Sequence, residues 1–127
     1  MGNQIDLHPT ICNLCHGKVN LIPNKTIYGK SYGSGLCYAC KKCGAYVGTH
    51  KPRPTEAMGI LANEEMRKLK MECHNIFDRL WTTQNERRGC YHKLANKMGI
   101  PLSECHFGYF NTKQLRAALQ ILRGGLK

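Results

Sequence analysis

Two stretches, Cys12-Asn-Leu-Cys15-His16-Gly17 and Cys37-Tyr-Ala-Cys40-Lys-Lys-Cys43-Gly44, decide how the N-terminal part of the chain folds. A Cys-x2-Cys pair is a tight knuckle that aims two thiolates at one point. Two knuckles from two hairpins supply four sulfurs at about 2.3 Å in the closed tetrahedral site that structural zinc takes. The second stretch holds two overlapping pairs. Glycine follows Cys43, where a knuckle turn needs a left-handed residue, and Lys41 and Lys42 offset thiolate charge. The ligand set is therefore Cys12, Cys15, Cys40 and Cys43, and Cys37 is a spare thiol on the strand entering the knuckle. A redox dithiol needs a helix N-terminus after a strand, which neither pair has; iron–sulfur ligation uses related spacings and stays open.

The 127 residues set a prior of one domain or two very small ones. A chain this short buries only about two-thirds of its unfolded surface, so a metal staple helps it. No window approaches the roughly 18 apolar residues of a membrane span, and the first residues lack a basic n-region and an apolar h-region. The expectation is a soluble, cytoplasmic protein with no membrane partner, a reducing setting in which closely spaced cysteines ligate metal. Lys and Arg number 19 against 8 Asp and Glu, a net charge of +11. Residues 1 to 55 contain Asp6 as their one acid. Such a field favours polyanions, either nucleic acid or an acidic protein surface.

Lys51-Pro52-Arg53-Pro54 reads as an extended linker, because proline bars helix for the residue before it. The boundary placed there divides a zinc-binding β module, 1–54, from a helical module, 55–127, and the fold class is α+β: zinc-ribbon hairpins followed by three helices. Val19 to Ile22, Thr26 to Tyr28 and Ala45 to Val47 read as short hairpin strands, with the glycines of Tyr28-Gly-Lys-Ser-Tyr-Gly-Ser-Gly at a flexible tip. Downstream, Met66, Leu69, Cys73, Ile76, Phe77, Leu80 and Trp81 recur at helical spacing after Asn63. A second helix is expected over 86–98, capped by Asn85 and stopped by Gly99. A third follows Asn111, with Gln114 completing a capping box and Gly124-Gly125 at its end. The core expected is Leu69, Ile76, Phe77, Leu80, Trp81, Leu94 and Leu119. Cys73, Cys90 and Cys105 read as small core hydrophobes.

In order along the chain, the first knuckle, Tyr28-Gly-Lys-Ser-Tyr-Gly, Cys40-x2-Cys43-Gly-Ala-Tyr-Val-Gly-Thr-His50, Leu61-Ala-Asn-x-Glu65, His74-x2-Phe77-Asp78-x-Leu80-Trp81, Tyr91-x2-Leu94-Ala-x2-Met98-Gly-Ile-Pro and Cys105-His-Phe-Gly-Tyr-Phe110 form a specific set. The set resembles the small zinc-finger-containing domain family of unknown function found in bacteriophage and prophage proteins. The resemblance implies a zinc-bound N-terminal module, a helical C-terminal module and carriage by a phage or prophage, hence the cytoplasm of a bacterial host. It implies no activity. Cys37 is an addition to the family pattern, and Asn13-Leu14 replaces its more usual Pro-Tyr pair.

The leading functional expectation is a protein that binds nucleic acid through Lys30, Tyr32, Tyr38, Lys41, Lys42 and Arg53, a mixture that stacks bases while neutralising phosphates. About half of the tyrosines of the zinc module are expected to be core, from the period-2 alternation of a half-buried strand. The second expectation is a small interaction protein that uses the same basic surface to inhibit a host nucleic-acid enzyme or defence factor. A metal-dependent nuclease would need His50, His74, Asp78 and His106 to converge, and no carboxylate cluster or H-N-H-type spacing supports it. The question of an enzyme stays open at this point, with the reading leaning against one and the nuclease kept as the less favoured alternative.

Overall fold

The computed structural model describes residues 6–126. They form two compact units, 6–64 and 65–126. No helix among the described residues is long and apolar enough to cross a membrane.

The first unit is a four-stranded antiparallel sheet in sequential order: β1 (Val19–Pro23), β2 (Leu36–Cys40), β3 (Tyr46–His50) and β4 (Arg53–Ala57). Val19 pairs with Cys40, and Tyr38 with both Leu21 and Val47. Because strand side chains alternate, Val19, Tyr38, Cys40 and Val47 share one face. That face packs with Cys12, Ala45, Ala57 and Leu61 into the core of the unit, with Cys15 against it. Cys37 lies on the opposite face, across from Ile22 and Gly48.

Three expectations fail here for identifiable reasons. Thr26 to Tyr28 is helical, not extended: α1 (Lys25–Tyr28) forms because the Asn24 carbonyl accepts the Ile27 and Tyr28 amides, and left-handed Gly29 ends it by donating to the Lys25 carbonyl. The glycine-rich stretch that follows is tied down, since the Asn24 amide side chain donates to the Tyr32 carbonyl at 2.8 Å and accepts the Tyr32 amide at 3.2 Å. The proline segment is likewise no linker. Lys51-Pro52 makes the β3–β4 turn, and Arg53–Ala57 is an edge strand, the position in a sheet that tolerates proline.

The second unit contains α2 (Glu64–Phe77, whose first residue belongs to the first unit), α3 (Gln84–Met98) and α4 (Thr112–Gly124), with single 3₁₀ turns at Leu102–Glu104 and Phe107–Tyr109. Thr83 caps α3, not Asn85: its hydroxyl accepts the Glu86 amide while the Glu86 carboxylate accepts the Thr83 amide. Asn111 and Gln114 cap α4 in the same reciprocal way, and Gly99 ends α3 at φ 71°. The core gathers Cys73, Phe77, Leu94, Cys105, Phe107, Phe110, Leu115, Ala118, Leu119 and Leu122. Phe107 contacts Phe77 and Phe110 edge-on. Burial pushes the Cys73 and Cys105 thiols up to about 11, so both stay protonated at neutral pH. Of the expected core, Phe77, Leu94 and Leu119 are buried, Leu69, Ile76 and Trp81 are half-buried, and Leu80 is exposed. The helical spacing runs on through Leu80 and Trp81, but the Thr82–Glu86 cap requires the chain to leave α2 after Phe77.

Candidate metal centre

The two knuckles repeat one hydrogen-bond pattern. The Cys12 amide donates to the Gly17 carbonyl and the Cys40 amide to the Ala45 carbonyl, both at 2.8 Å. The His16 amide donates to the Cys12 carbonyl and the Gly44 amide to the Cys40 carbonyl, both at 3.0 Å. His16 and Gly44 are thus equivalent positions, and both are left-handed, at φ 63° and 82°. Gly44 meets that demand without a side chain, whereas His16 is the one non-glycine residue at positive φ among those described. Gly17 and Ala45 are equivalent in turn. An added Cβ at Gly17 would lie 2.8 Å from the Lys42 Cβ, 3.1 Å from the Cys40 Sγ and 3.2 Å from the Cys15 Sγ. Only glycine lets the first knuckle pass this close to the second.

This arrangement brings the four sulfurs of Cys12, Cys15, Cys40 and Cys43 within 4.8 Å of one another. A tetrahedron of sulfurs around zinc at about 2.3 Å has edges of about 3.8 Å. Cys12 Sγ lies 3.7 Å from Cys43 Sγ, and Cys15 Sγ 3.4 Å from Cys40 Sγ. The donor set and its spacing fit zinc, and backbone amides point at the sulfurs: Leu14 to Cys12 and Gly17 to Cys15 at 3.3 Å, Cys43 to Cys40 at 3.5 Å. These bonds delocalise thiolate charge, as outer partners of metal ligands do. The Cys43 amide chiefly pulls Cys40 down to about 6. At Cys43 the Ala45 amide also lowers the pKa, but burial and the hydrogen-bonded thiols of Cys15, Cys12 and Cys40 outweigh it and push the thiol up to about 12. Four thiolates in one cluster need a cation to ionise together, and zinc supplies it. Cys37 is buried on the other face of β2 and belongs to no such cluster.

Asn13 matters to the site although its residue type carries no metal chemistry. Its side chain donates to the Leu61 carbonyl at 3.0 Å and accepts the Leu61 amide at 2.9 Å. This two-point clasp ties the first knuckle to the segment after β4, where Ala62 bridges to Tyr46.

The residues expected to meet nucleic acid separate. Lys41 and Lys42 are exposed in the second knuckle, and Lys30 sits over the half-exposed Tyr32 ring at 5.5 Å. Arg53 is exposed but bonded to the Glu56 carboxylate at 2.7 Å. Tyr38 does not belong with them: it is 6% exposed, and its hydroxyl donates to the Thr55 carbonyl at 2.6 Å, so its ring offers no face to a base.

The histidines of the helical unit pack on rings. His74 meets Phe107 at 4.8 Å and His106 meets Tyr109 at 4.6 Å, and burial lowers the pKa of both. Among the described residues, no group of three or more His, Cys, Asp and Glu other than the four cysteines is close enough to hold an ion. His50 ends β3, opposite Arg53.

No curated protein and no solved structure matches the chain. A zinc-finger-containing domain family matches residues 8–124, which take in the four clustered cysteines, and the chain belongs to that family.

Proposed function

We propose that this zinc protein binds single-stranded nucleic acid through the face of its sheet opposite the zinc core. A row of touching tyrosine rings carries the reading. Tyr28 meets Tyr32 edge-on at 5.4 Å and Tyr46 at 5.7 Å, and Lys30 lies over Tyr32. Tyr46 pairs with Ala39, which lines a groove of about 440 Å³ walled by Ile22 and Ile27 and bordered by Lys41. Aromatic rings interleaved with lysines are what a sequence-tolerant single-strand binder uses, rings taking bases and ammonium groups taking phosphates. Lys30 and Lys41 are the phosphate partners on this face and Tyr32 the stacking ring, while Lys42 springs from the zinc side, its Cβ against Gly17 of the first knuckle. Arg53 is engaged by Glu56 and Tyr38 is internal, so neither is part of this interface.

Fluorescence anisotropy with single- and double-stranded DNA and RNA, across a salt series and with zinc content measured in each sample, tests the reading. Tyr32→Ala weakens single-strand affinity by about 1 to 3 kcal/mol with little change in salt slope, and Lys30→Ala lowers the slope of log affinity against log salt by about 0.7. Tyr38→Phe, which removes only the internal hydroxyl, leaves affinity unchanged. Zinc-loaded protein that binds no nucleic acid at low salt refutes the proposal. Carriage by a phage or prophage is proposed on the family resemblance, and the genomic neighbourhood of the gene tests it.

A further inference from the structure

The helical unit has a cavity of about 420 Å³ whose lining includes Arg87, Arg88, Tyr91, Leu102, Ser103 and His106, and no acid. Arg87 is half-buried and held by rings rather than by a carboxylate. Its guanidinium lies over Trp81 at 5.6 Å and over Tyr91 at 5.0 Å, and donates to the Tyr91 hydroxyl at 3.4 Å. Among the described residues it makes no ion pair, and the acid beside it in sequence, Glu86, is committed to Thr82 and Thr83. The pattern differs elsewhere in this unit, where Arg116 is paired with Glu65 and Arg123 with Glu72. A half-buried guanidinium without an anion is an unspent bidentate donor, and Arg88, the Ser103 hydroxyl and His106 add further donors on the same cavity.

Carboxylate recognition needs one such fork. Two guanidinium groups and a hydroxyl suit the three terminal oxygens of a phosphate, and the volume and the Tyr91 and Leu102 walls suit a ligand of nucleotide size. We propose that this cavity binds a phosphomonoester of nucleotide size, with Arg87 and Arg88 holding the phosphate and Tyr91 forming the aromatic wall. The site is separate from the zinc module and stands whether or not that module binds nucleic acid.

Calorimetry on the full zinc-loaded chain tests it with five probes: inorganic phosphate, a nucleoside 5′-monophosphate, the same nucleoside without phosphate, and a short oligonucleotide with and without a 5′-phosphate. Trp81, the only tryptophan, lies against Arg87 and reports occupancy of this cavity through its emission. The monophosphate binds saturably, the unphosphorylated nucleoside at least about tenfold more weakly, and Trp81 emission follows the same isotherm. Arg88→Ala and Arg87→Lys, the second of which keeps charge and loses the fork, each weaken binding by about tenfold or more while far-UV circular dichroism is unchanged. Equal affinity of the oligonucleotide with a 5′-phosphate identifies a chain end as the source of the phosphate, and preference for the mononucleotide identifies a free metabolite. No saturable binding of any phosphorylated probe at millimolar concentration overturns the proposal, as does Arg88→Ala binding like wild type.

Discussion

Replacing Gly17 by alanine isolates the closeness of the two knuckles from every other feature of the zinc site. Gly17 is not at positive φ, so alanine strains no dihedral there; its methyl carbon instead lands 2.8 Å from the Lys42 Cβ and within 3.2 Å of two ligand sulfurs. None of these atoms is the free end of a flexible side chain, so one knuckle must shift away from the other. Inserting one carbon into a filled site costs about 1 to 3 kcal/mol. In a small zinc module the metal-binding free energy is largely the folding free energy, so this cost falls on zinc affinity, a loss of about 5- to 150-fold. Gly44 is the counterpart, with open space around its Cβ position but φ at 82°. Alanine there costs about 1 to 2 kcal/mol of backbone strain, and asparagine, which tolerates the left-handed region, recovers part of it. No such rescue exists at Gly17, where any side chain collides. Competition against a chromophoric chelator measures all four variants, Gly17→Ala, Gly17→Asn, Gly44→Ala and Gly44→Asn. Zinc affinity of Gly17→Ala within twofold of wild type, or recovery by Gly17→Asn, refutes the packing argument.

Elemental analysis separates ligands from the spare thiol: Cys12→Ser and Cys43→Ser lose zinc, whereas Cys37→Ser, altered on the opposite face of β2, retains it. Phe77→Ala removes a fully buried ring from the helical core and costs about 3 to 5 kcal/mol in chemical denaturation, while Leu80→Ala, at an exposed position, costs a small fraction of that. Glu86 is held down to about 2, first by the Thr82 hydroxyl and then by the Thr83 and Thr82 amides. Its contribution is present above the unfolded carboxylate pKa of about 4.3 and is lost as pH falls from there through about 2. The melting temperature of Glu86→Gln therefore changes less over that acid range than that of wild type, and parallel curves would remove Glu86 from the account.

What could be read without coordinates is what spacing encodes. The ligand spacing specifies the metal chemistry directly, and the left-handed Gly44 follows from its place after the last thiolate. Asn111 and Gln114 announce α4 because both halves of a capping box lie three residues apart. The same signal stands at Thr83 and Glu86, yet Asn85 competes with it by residue type, and only the reciprocal bond decides between them. The burial of Tyr38 follows from strand alternation: once Cys40 turns inward to the metal, the residue two positions earlier turns inward with it. Other features depend on contacts remote in sequence. Asn13 reads as a replaceable knuckle residue until Leu61 is beside it, and Gly17 as an ordinary turn glycine until Lys42 is. Phe107 and Phe110, central to the helical core, lie in and just after a 3₁₀ turn whose spacing has no helical period to betray them.

Charge places a constraint on how the nucleic-acid reading is tested. Residues 6–64 hold seven Lys or Arg against Asp6, Glu56 and Glu64, a formal +4, and a zinc tetrathiolate adds −2. Residues 65–127 hold twelve against five, a formal +7. Lys41 and Lys42 stand between two ligands, so their charges first offset the thiolates, and removing either weakens the metal site as well as any phosphate contact. A loss of binding in Lys41→Ala is then ambiguous unless zinc content is unchanged. Lys30 lies over the Tyr32 ring rather than in a knuckle, so its removal tests phosphate contact cleanly. The comparison discriminates: at equal zinc content, Lys30→Ala reduces the salt slope by about 0.7 if the tyrosine face is the interface. If the slope of wild type survives Lys30→Ala intact, Lys30 contacts no phosphate and the tyrosine face is not the interface.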